Sequence, residues 1–151
     1  MGDVVEIPTK KGLAYAQYTH KNAQWGALIR VLPGFHAARP PDLGPVVAGP
    51  ERFVTFFPLQ QAINRGIFEI VGQAEVPPAA RPFPLFRVAG FVDREGRVHD
   101  WYLWDGGQDR KIGKLTDEQR KLPILAVWND TWLVEAIEEG WTPATDRRSQ
   151  G

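Results

Sequence analysis

Two short segments near the start of the chain decide its fold: GDVVEIP at residues 2–8 and LAYAQY at residues 13–18. The first is rich in β-branched residues, and the side chains of the second alternate with a period of two. Gly12, between them, supplies the positive φ that a tight reversal needs. The two segments therefore predict an antiparallel hairpin, with β structure beginning within a few residues of the N-terminus and no leader before it.

Length and composition bound the class of protein. The chain has 151 residues, which suits one domain large enough to bury a core without a disulfide or a structural metal. We therefore expect a single domain over residues 1–151, with a proline-rich connector at residues 77–84 inside it. The sequence has no cysteine, which excludes thiol nucleophiles, disulfides and thiolate metal sites.

Charge and hydropathy narrow the range of partners. Eighteen basic residues balance 18 acidic ones, so no net field attracts nucleic acid or an anionic membrane. The N-terminus lacks a basic flank followed by an apolar core, and no apolar run is long enough to span a bilayer. We expect a cytoplasmic protein that binds neither nucleic acid nor membrane and exists as a monomer or a small homo-oligomer.

The rest of the sequence predicts an α+β fold. Strands are predicted at residues 27–32, 52–57, 67–71, 86–92, 98–104 and 110–113, and helices at residues 59–65, 116–123 and 130–139. Thr116 and Gln119 form a capping box at the start of the second helix, and Pro123 ends it. We expect one continuous, strongly bent and mostly antiparallel sheet, partly barrel-like in its first half and packed by the C-terminal helix.

The C-terminal helix is marked by both of its ends. Asn129 or Asp130 is a suitable N-cap, and Gly140 is a suitable C-terminal stop. The predicted buried stripe between them consists of Trp132, Leu133, Ala136 and Ile137.

A search for reactive groups finds no pattern typical of catalysis. His20, His36 and His99 lie far apart and lack the spacing of a zinc site. No nucleophile elbow, phosphate-binding loop or dinucleotide fingerprint occurs. We therefore expect no catalytic residue, no metal and no cofactor.

The segment WYLWD at residues 101–105 is the strongest functional signal. Alternation places Trp101 and Leu103 on one face of a strand, and Tyr102 and Trp104 on the other. One face needs a cover, which the C-terminal helix with Trp128, Trp132 and Trp141 is suited to provide. The other face predicts a protein-binding patch, because tryptophan, tyrosine and arginine dominate interface hot spots.

The candidate partner-binding residues fall into two groups. The first group lies in the aromatic hairpin, by which we mean residues 100–110 around the WYLWD segment. Its members are Tyr102, Trp104, Asp105, Asp109 and Arg110. The alternative carrier is the long proline- and glycine-rich loop at residues 35–50, with His36, Arg39 and Asp42, because long loops in compact domains are commonly functional or disordered.

Two other classes of function remain open from the residues alone. A small-ligand-binding protein or enzyme would use an aromatic cleft around residues 101–104, with Tyr102, His99 or Asp100 as its polar groups. The other is a structural adaptor in a larger assembly.

Several short motifs occur together in an order typical of one known family. They are residues 2–8, Tyr15-Ala16-Gln17, Phe57-Pro58-Leu59, Ala62-Ile63, Gly66-x-Phe68, Ile70-Val71-Gly72 and the proline-rich passage from Pro77 to Phe86. In these motifs the chain resembles the immunity protein 26 family of bacterial polymorphic toxin systems. The resemblance implies a bacterial protein that neutralises a cognate toxin by stoichiometric protein–protein binding, and none of the matching motifs is catalytic.

Overall fold

A computed structural model describes residues 1–146 and confirms the predicted α+β class. The described residues divide into two compact units: residues 1–82 with 127–140, and residues 83–126 with 141–146. The described strands form two sheets, so the expectation of one continuous sheet is wrong. The prediction of a single domain over residues 1–151, whose last five residues lie outside the described part, stays a prediction.

The sheet of the first unit has five antiparallel strands. They are β1 (Asp3–Thr9), β2 (Gly12–Asn22), β3 (Gly26–Val31), β4 (Phe53–Phe57) and β5 (Glu69–Gln73), in the order β4-β3-β2-β1-β5. The helices of this unit are α1 (Gly44–Ala48), α2 (Leu59–Asn64) and α3 (Asp130–Glu139). The sheet is not closed, since β4 and β5 are its two edges, so the expected barrel-like character is not confirmed.

The opening hairpin forms as the sequence predicts. Val5 of β1 lies opposite Ala16 of β2, Ile7 lies opposite Ala14, and Gly12 has a φ of 127° at the reversal. All four of these paired side chains are buried. Because β2 and β5 flank β1 on its two sides, the first strand of the chain is a central strand of the sheet.

The predicted loop at residues 35–50 is an ordered layer that contains α1. A buried cluster joins this layer to the sheet through Val4, Tyr15, Leu32 and Val47. A buried charged residue also holds this layer on the sheet. Arg30 on β3 is only 1% exposed. Its guanidinium donates to the Val47 and Gly49 carbonyls and to the Glu51 carboxylate, and its Nε donates to the Gln17 side chain.

The C-terminal helix α3 has the predicted ends but a narrower buried stripe. Asn129 is its N-cap, with a side chain that accepts from the Trp132 backbone N–H at 2.8 Å, and Gly140 at φ 71° ends it. Leu133, Ala136 and Ile137 are buried as predicted. The prediction that Trp132 is buried is wrong, since it is 62% exposed. At 100° per residue, Trp132 lies about a quarter turn from the centre of that stripe.

The second unit contains a three-stranded antiparallel sheet. Its strands are β6 (Phe86–Ala89), β7 (Trp101–Trp104) and β8 (Asp109–Gly113), in the order β6-β7-β8. Thr116 and Gln119 exchange both capping-box hydrogen bonds, but only a 3₁₀ turn at Gln119–Lys121 follows in place of the predicted helix. Pro123 ends this turn as predicted, because it pushes Leu122 into an extended conformation.

Short 3₁₀ turns account for the remaining helical residues. One turn, Pro78–Ala80, lies in the proline-rich connector, and the other is Pro143–Thr145. Within residues 1–146, no helix combines the length and the apolar content that crossing a membrane requires.

A fully buried arginine also organises the second unit. Arg87 on β6 is 0% exposed, and its guanidinium carbon lies 4.9 Å from the centre of the Trp101 ring. The guanidinium donates to the carbonyls of Leu122 and Arg120, at 3.1 and 3.0 Å, and to that of Pro143. One side chain thus fixes two irregular segments against the sheet.

We predict that Arg30→Met lowers the free energy of unfolding by about 3 kcal/mol, because it leaves buried carbonyl and amide groups without their donor. Urea unfolding followed by tryptophan fluorescence measures this loss. Arg65→Met, at an exposed position after α2, is the matched control and should change stability by less than about 0.5 kcal/mol. Equal unfolding midpoints for the two variants would contradict the role of Arg30.

Candidate functional site

Cross-strand pairing in the second unit places the predicted aromatic residues on one face. Side chains of paired residues lie on the same side of a sheet. The two rows on this face are Val88, Tyr102 and Lys111, and Phe86, Trp104 and Asp109. We call this side of the β6-β7-β8 sheet the aromatic face.

The rings of the aromatic face are held in place by the groups that they pack against. The Trp104 ring lies 5.6 Å from the Phe83 ring in an edge-to-face arrangement and 5.7 Å from the buried Phe86 ring. The Tyr102 ring packs on Gly90, where a Cβ atom would approach it to 3.0 Å. Tyr102 and Trp104 nevertheless remain partly exposed. The face therefore offers aromatic surface that is already ordered.

The opposite face of this sheet is core. Trp101 is 1% exposed and Leu103 is 5% exposed. The second unit itself covers Trp101, since Val98 and Leu115 join it in one buried cluster. Of the three tryptophans expected to cover the hairpin, Trp128 packs on Phe53 in the first unit, at 5.6 Å, and Trp132 is exposed. The third, Trp141, donates through its indole N–H to Asp146 at 3.2 Å.

The charged residues of the hairpin have different surroundings. Asp105 accepts hydrogen bonds from the backbone N–H groups of Gln108 and Gly107 at 2.8 and 2.9 Å, which lowers the pKa of its carboxyl group. Asp105 therefore stabilises the turn. Asp109 and Arg110 are exposed on β8, with Asp109 on the aromatic face and Arg110 on the opposite one.

Histidine and carboxylate groups beside the hairpin are engaged with each other or with lysine. His99 Nε2 lies 2.9 Å from the Asp93 carboxylate, whose pKa is lowered mainly by the Arg97 backbone N–H and further by His99. The Asp100 carboxylate lies 3.7 Å from the Lys111 ammonium group. These are exposed surface pairs, and Trp101 provides no wall of a cleft here because it is buried.

The three candidates of the long loop belong to the first unit, where each makes a structural contact. His36 exchanges two backbone hydrogen bonds with Leu13, at 2.8 and 2.9 Å. Asp42 accepts from the Gly44 backbone N–H at 2.9 Å, just at the start of α1. Arg39 binds Glu6 on β1, with Nε to Oε2 at 2.8 Å, so the loop is tied down at each of these positions.

The Glu6 carboxylate is the centre of a cluster that the sequence does not reveal. It accepts from Arg39 and from the Tyr15 hydroxyl, the latter at 2.9 Å, and Arg39 also reaches Glu69 at 3.2 Å. The Arg39 hydrogen bond, helped by that of Tyr15, lowers the pKa of Glu6 although burial opposes this. Burial, together with Glu6, raises the pKa of Tyr15 to about 12. The one signal in the sequence that could have indicated this cluster is the position of Glu6 between Val5 and Ile7.

A cleft of about 510 Å³ in the first unit was also missed. Its wall includes Tyr18, Trp25, Phe57, Ile63, Ile70 and Val127. These residues come from separate strands and loops and from α2, which is why no local motif marks the cleft. Phe91 is a second missed feature, since it is 65% exposed just after β6.

Among residues 1–146, no group of three or more histidine, aspartate or glutamate side chains is arranged to hold a metal ion. No protein-family model, no curated protein and no solved structure matches the chain. The geometry of the two units and the resemblance of the sequence motifs are therefore what supports a function.

We predict that Glu6 makes stability depend on pH in the acid range. Its folded-state pKa lies below the ordinary value of 4.5, so its stabilisation is fully present above that value and is lost as the pH falls through the folded-state pKa. Urea unfolding of the wild type and of Glu6→Gln, from about pH 7 to about pH 3, should give stability differences that shrink with acidification.

Arg39→Met is the matched variant, because it removes the main cause of the pKa shift and keeps the carboxylate. Its stability should depend less on pH than that of the wild type over the same range. Parallel pH profiles for all three proteins would show that the cluster does not stabilise the fold.

Proposed function

We propose that this chain is a protein-binding inhibitor of the immunity-protein type, which neutralises a cognate bacterial toxin stoichiometrically through the aromatic face. The observation that carries the proposal is the state of Tyr102 and Trp104. Both rings are partly exposed, yet both are ordered: Trp104 packs on Phe83 and Phe86, and Tyr102 packs on Gly90.

This arrangement favours binding for two physical reasons. Aromatic side chains bury a large apolar surface when a partner covers them. They also have few rotatable bonds, so binding costs little side-chain entropy. Exposed charges lie beside them: Asp109 and Lys111 are on the same face, and Arg110 is on the opposite face of the same strand. A buried aromatic centre with a polar rim is the usual anatomy of a specific interface.

The kind of partner is supported by the resemblance to the immunity protein 26 family, whose members neutralise bacterial toxins. The balanced charge of the chain, with 18 basic and 18 acidic residues, does not favour a strongly basic nuclease as that toxin. A protein toxin whose contact surface is not strongly basic fits better.

Ligand binding is the second candidate, and one observation favours it. The cleft of the first unit has the size of a small-molecule site and combines Tyr18 and Trp25 with apolar side chains. A coding region beside metabolic enzymes, instead of a toxin domain, would favour this candidate.

The direct experiment pairs the chain with the toxin domain encoded immediately upstream of it. Co-expression should restore growth of cells that produce the toxin, and light scattering after gel filtration should show a complex with one copy of each protein per site. A toxin that still kills in the presence of the folded chain and does not bind it would overturn the proposal.

We predict that Tyr102→Ala weakens toxin binding about thirtyfold, because loss of a hot-spot ring costs about 2 kcal/mol. Isothermal titration calorimetry measures the affinity, while circular dichroism and thermal melting confirm that the variant folds. Trp104→Ala should lower both affinity and stability, because its ring packs on Phe83 and Phe86.

Trp132→Ala is the control, since it removes an exposed aromatic ring from α3 in the first unit. It should leave toxin affinity unchanged. The opposite result, with Trp132→Ala weakening binding and Tyr102→Ala not, would place the binding surface on α3.

A further inference from the structure

We propose that the outer edge of β8 is a docking edge that binds an acidic, extended segment of the partner protein as an added β-strand. The inference rests on the proposed function and specifies how the partner is recognised. Its components are an open strand edge, a register that directs main-chain groups outward, and an excess of positive charge along that edge.

The edge is open in the described part of the chain. The β8 strand pairs with β7 on one side and is the terminal strand of its sheet. The other terminal strand is occupied, because the Arg87 backbone exchanges hydrogen bonds with Pro123 and Leu125 at 2.9 and 3.0 Å. Asp109, Arg110 and Lys111 are exposed. An extended peptide can therefore reach the main chain of β8.

The hairpin register shows which main-chain groups face outward. At the turn, the Asp105 N–H donates to the Gln108 carbonyl at 3.2 Å, so these residues form a hydrogen-bonded pair. Hydrogen-bonded and non-hydrogen-bonded pairs alternate along an antiparallel ladder. Arg110 consequently bonds to β7, whereas the N–H and C=O groups of Asp109 and Lys111 point away from it. Adding a strand satisfies these groups.

The side chains of this edge indicate the charge of the partner. Arg110 and Lys111 on β8 and Lys114 just after it are exposed and basic, and the acidic groups beside them are Asp109 and Asp100. Within residues 1–146, Arg110 and Lys114 form no ion pair, and Lys111 has only the exposed contact with Asp100. Two copies of this edge would bring like charges together, which disfavours self-association. An acidic strand complements it.

The edge is continuous with the aromatic face. Lys111 pairs with Tyr102 across the sheet, and Asp109 pairs with Trp104, with the two rings one strand inward. Alternate side chains of an added strand would lie beside Lys111 and extend the same face. Main-chain pairing then supplies register, the basic residues select an acidic strand, and the rings contribute apolar contact.

Hydrogen exchange tests the edge with a defined probe. The probe is a capped eight-residue peptide of alternating glutamate and valine, and the control peptide has lysine in place of glutamate. In the free protein, the amides of Asp109 and Lys111 should exchange quickly and that of Arg110 slowly. The acidic peptide should slow exchange of the Asp109 and Lys111 amides. Raising the salt concentration from about 0.05 to about 0.5 M should weaken the binding of this peptide. The lysine peptide should give no protection.

Two variants separate main-chain pairing from charge. Lys111→Ala removes the ammonium group and keeps the outward N–H, while Lys111→Pro removes both, and proline is tolerated where an edge N–H faces away from the sheet. Peptide affinity should fall about tenfold more for Lys111→Pro than for Lys111→Ala. Arg110→Glu should also lower the affinity for the acidic peptide. The charge reversal Lys121→Glu, which lies outside β8, should leave that affinity unchanged.

Failure of the acidic peptide to protect the Asp109 and Lys111 amides overturns the docking edge. Equal affinities for Lys111→Ala and Lys111→Pro overturn it as well. The proposed function fails separately, when the wild-type chain does not bind the toxin domain. If Lys111→Pro binds the toxin as tightly as the wild type does, the proposed function stands, but strand addition is not its mechanism.

Discussion

Burial of a guanidinium group is the constraint on which much of this structure depends. An arginine withdrawn from water must find acceptors for its N–H groups, since an unpaired buried charge is very costly. Arg30 finds carbonyls in residues 47–49, and Arg87 finds them in residues 120–122 and at Pro143. In each unit a segment without long regular structure becomes a fixed layer, because its carbonyls are needed by a charge on the sheet.

The same requirement separates structural charges from those available to a partner. Arg39 is paired with Glu6, and Asp42 accepts a hydrogen bond at the start of α1. The charged groups of the long loop are therefore already engaged within the protein. The edge strand β8 differs, because Arg110 and Lys111 are exposed beside open main-chain groups. Surface charge on a rigid strand supports recognition better than charge already used to hold a loop in place.

Local signals predicted those elements whose physics is local. The opening hairpin follows from a period-two pattern around Gly12, and α3 follows from Asn129 and Gly140. The predicted helix after Thr116 shows the limit of such signals. Its capping box forms, yet only a 3₁₀ turn follows before Pro123. Capping nucleates a helix but cannot lengthen it when the backbone beyond is restricted.

The sequence by itself determined the α+β class, the opening hairpin and the placement of Tyr102 and Trp104 on one strand face, because strand periodicity and turn chemistry act over a few residues. Only the tertiary structure decided that the strands form two sheets, that Glu6 meets Arg39, and that Trp132 stays exposed. These outcomes depend on which distant segments cover each face. Burial is a property of the whole packed unit, and no local pattern specifies it.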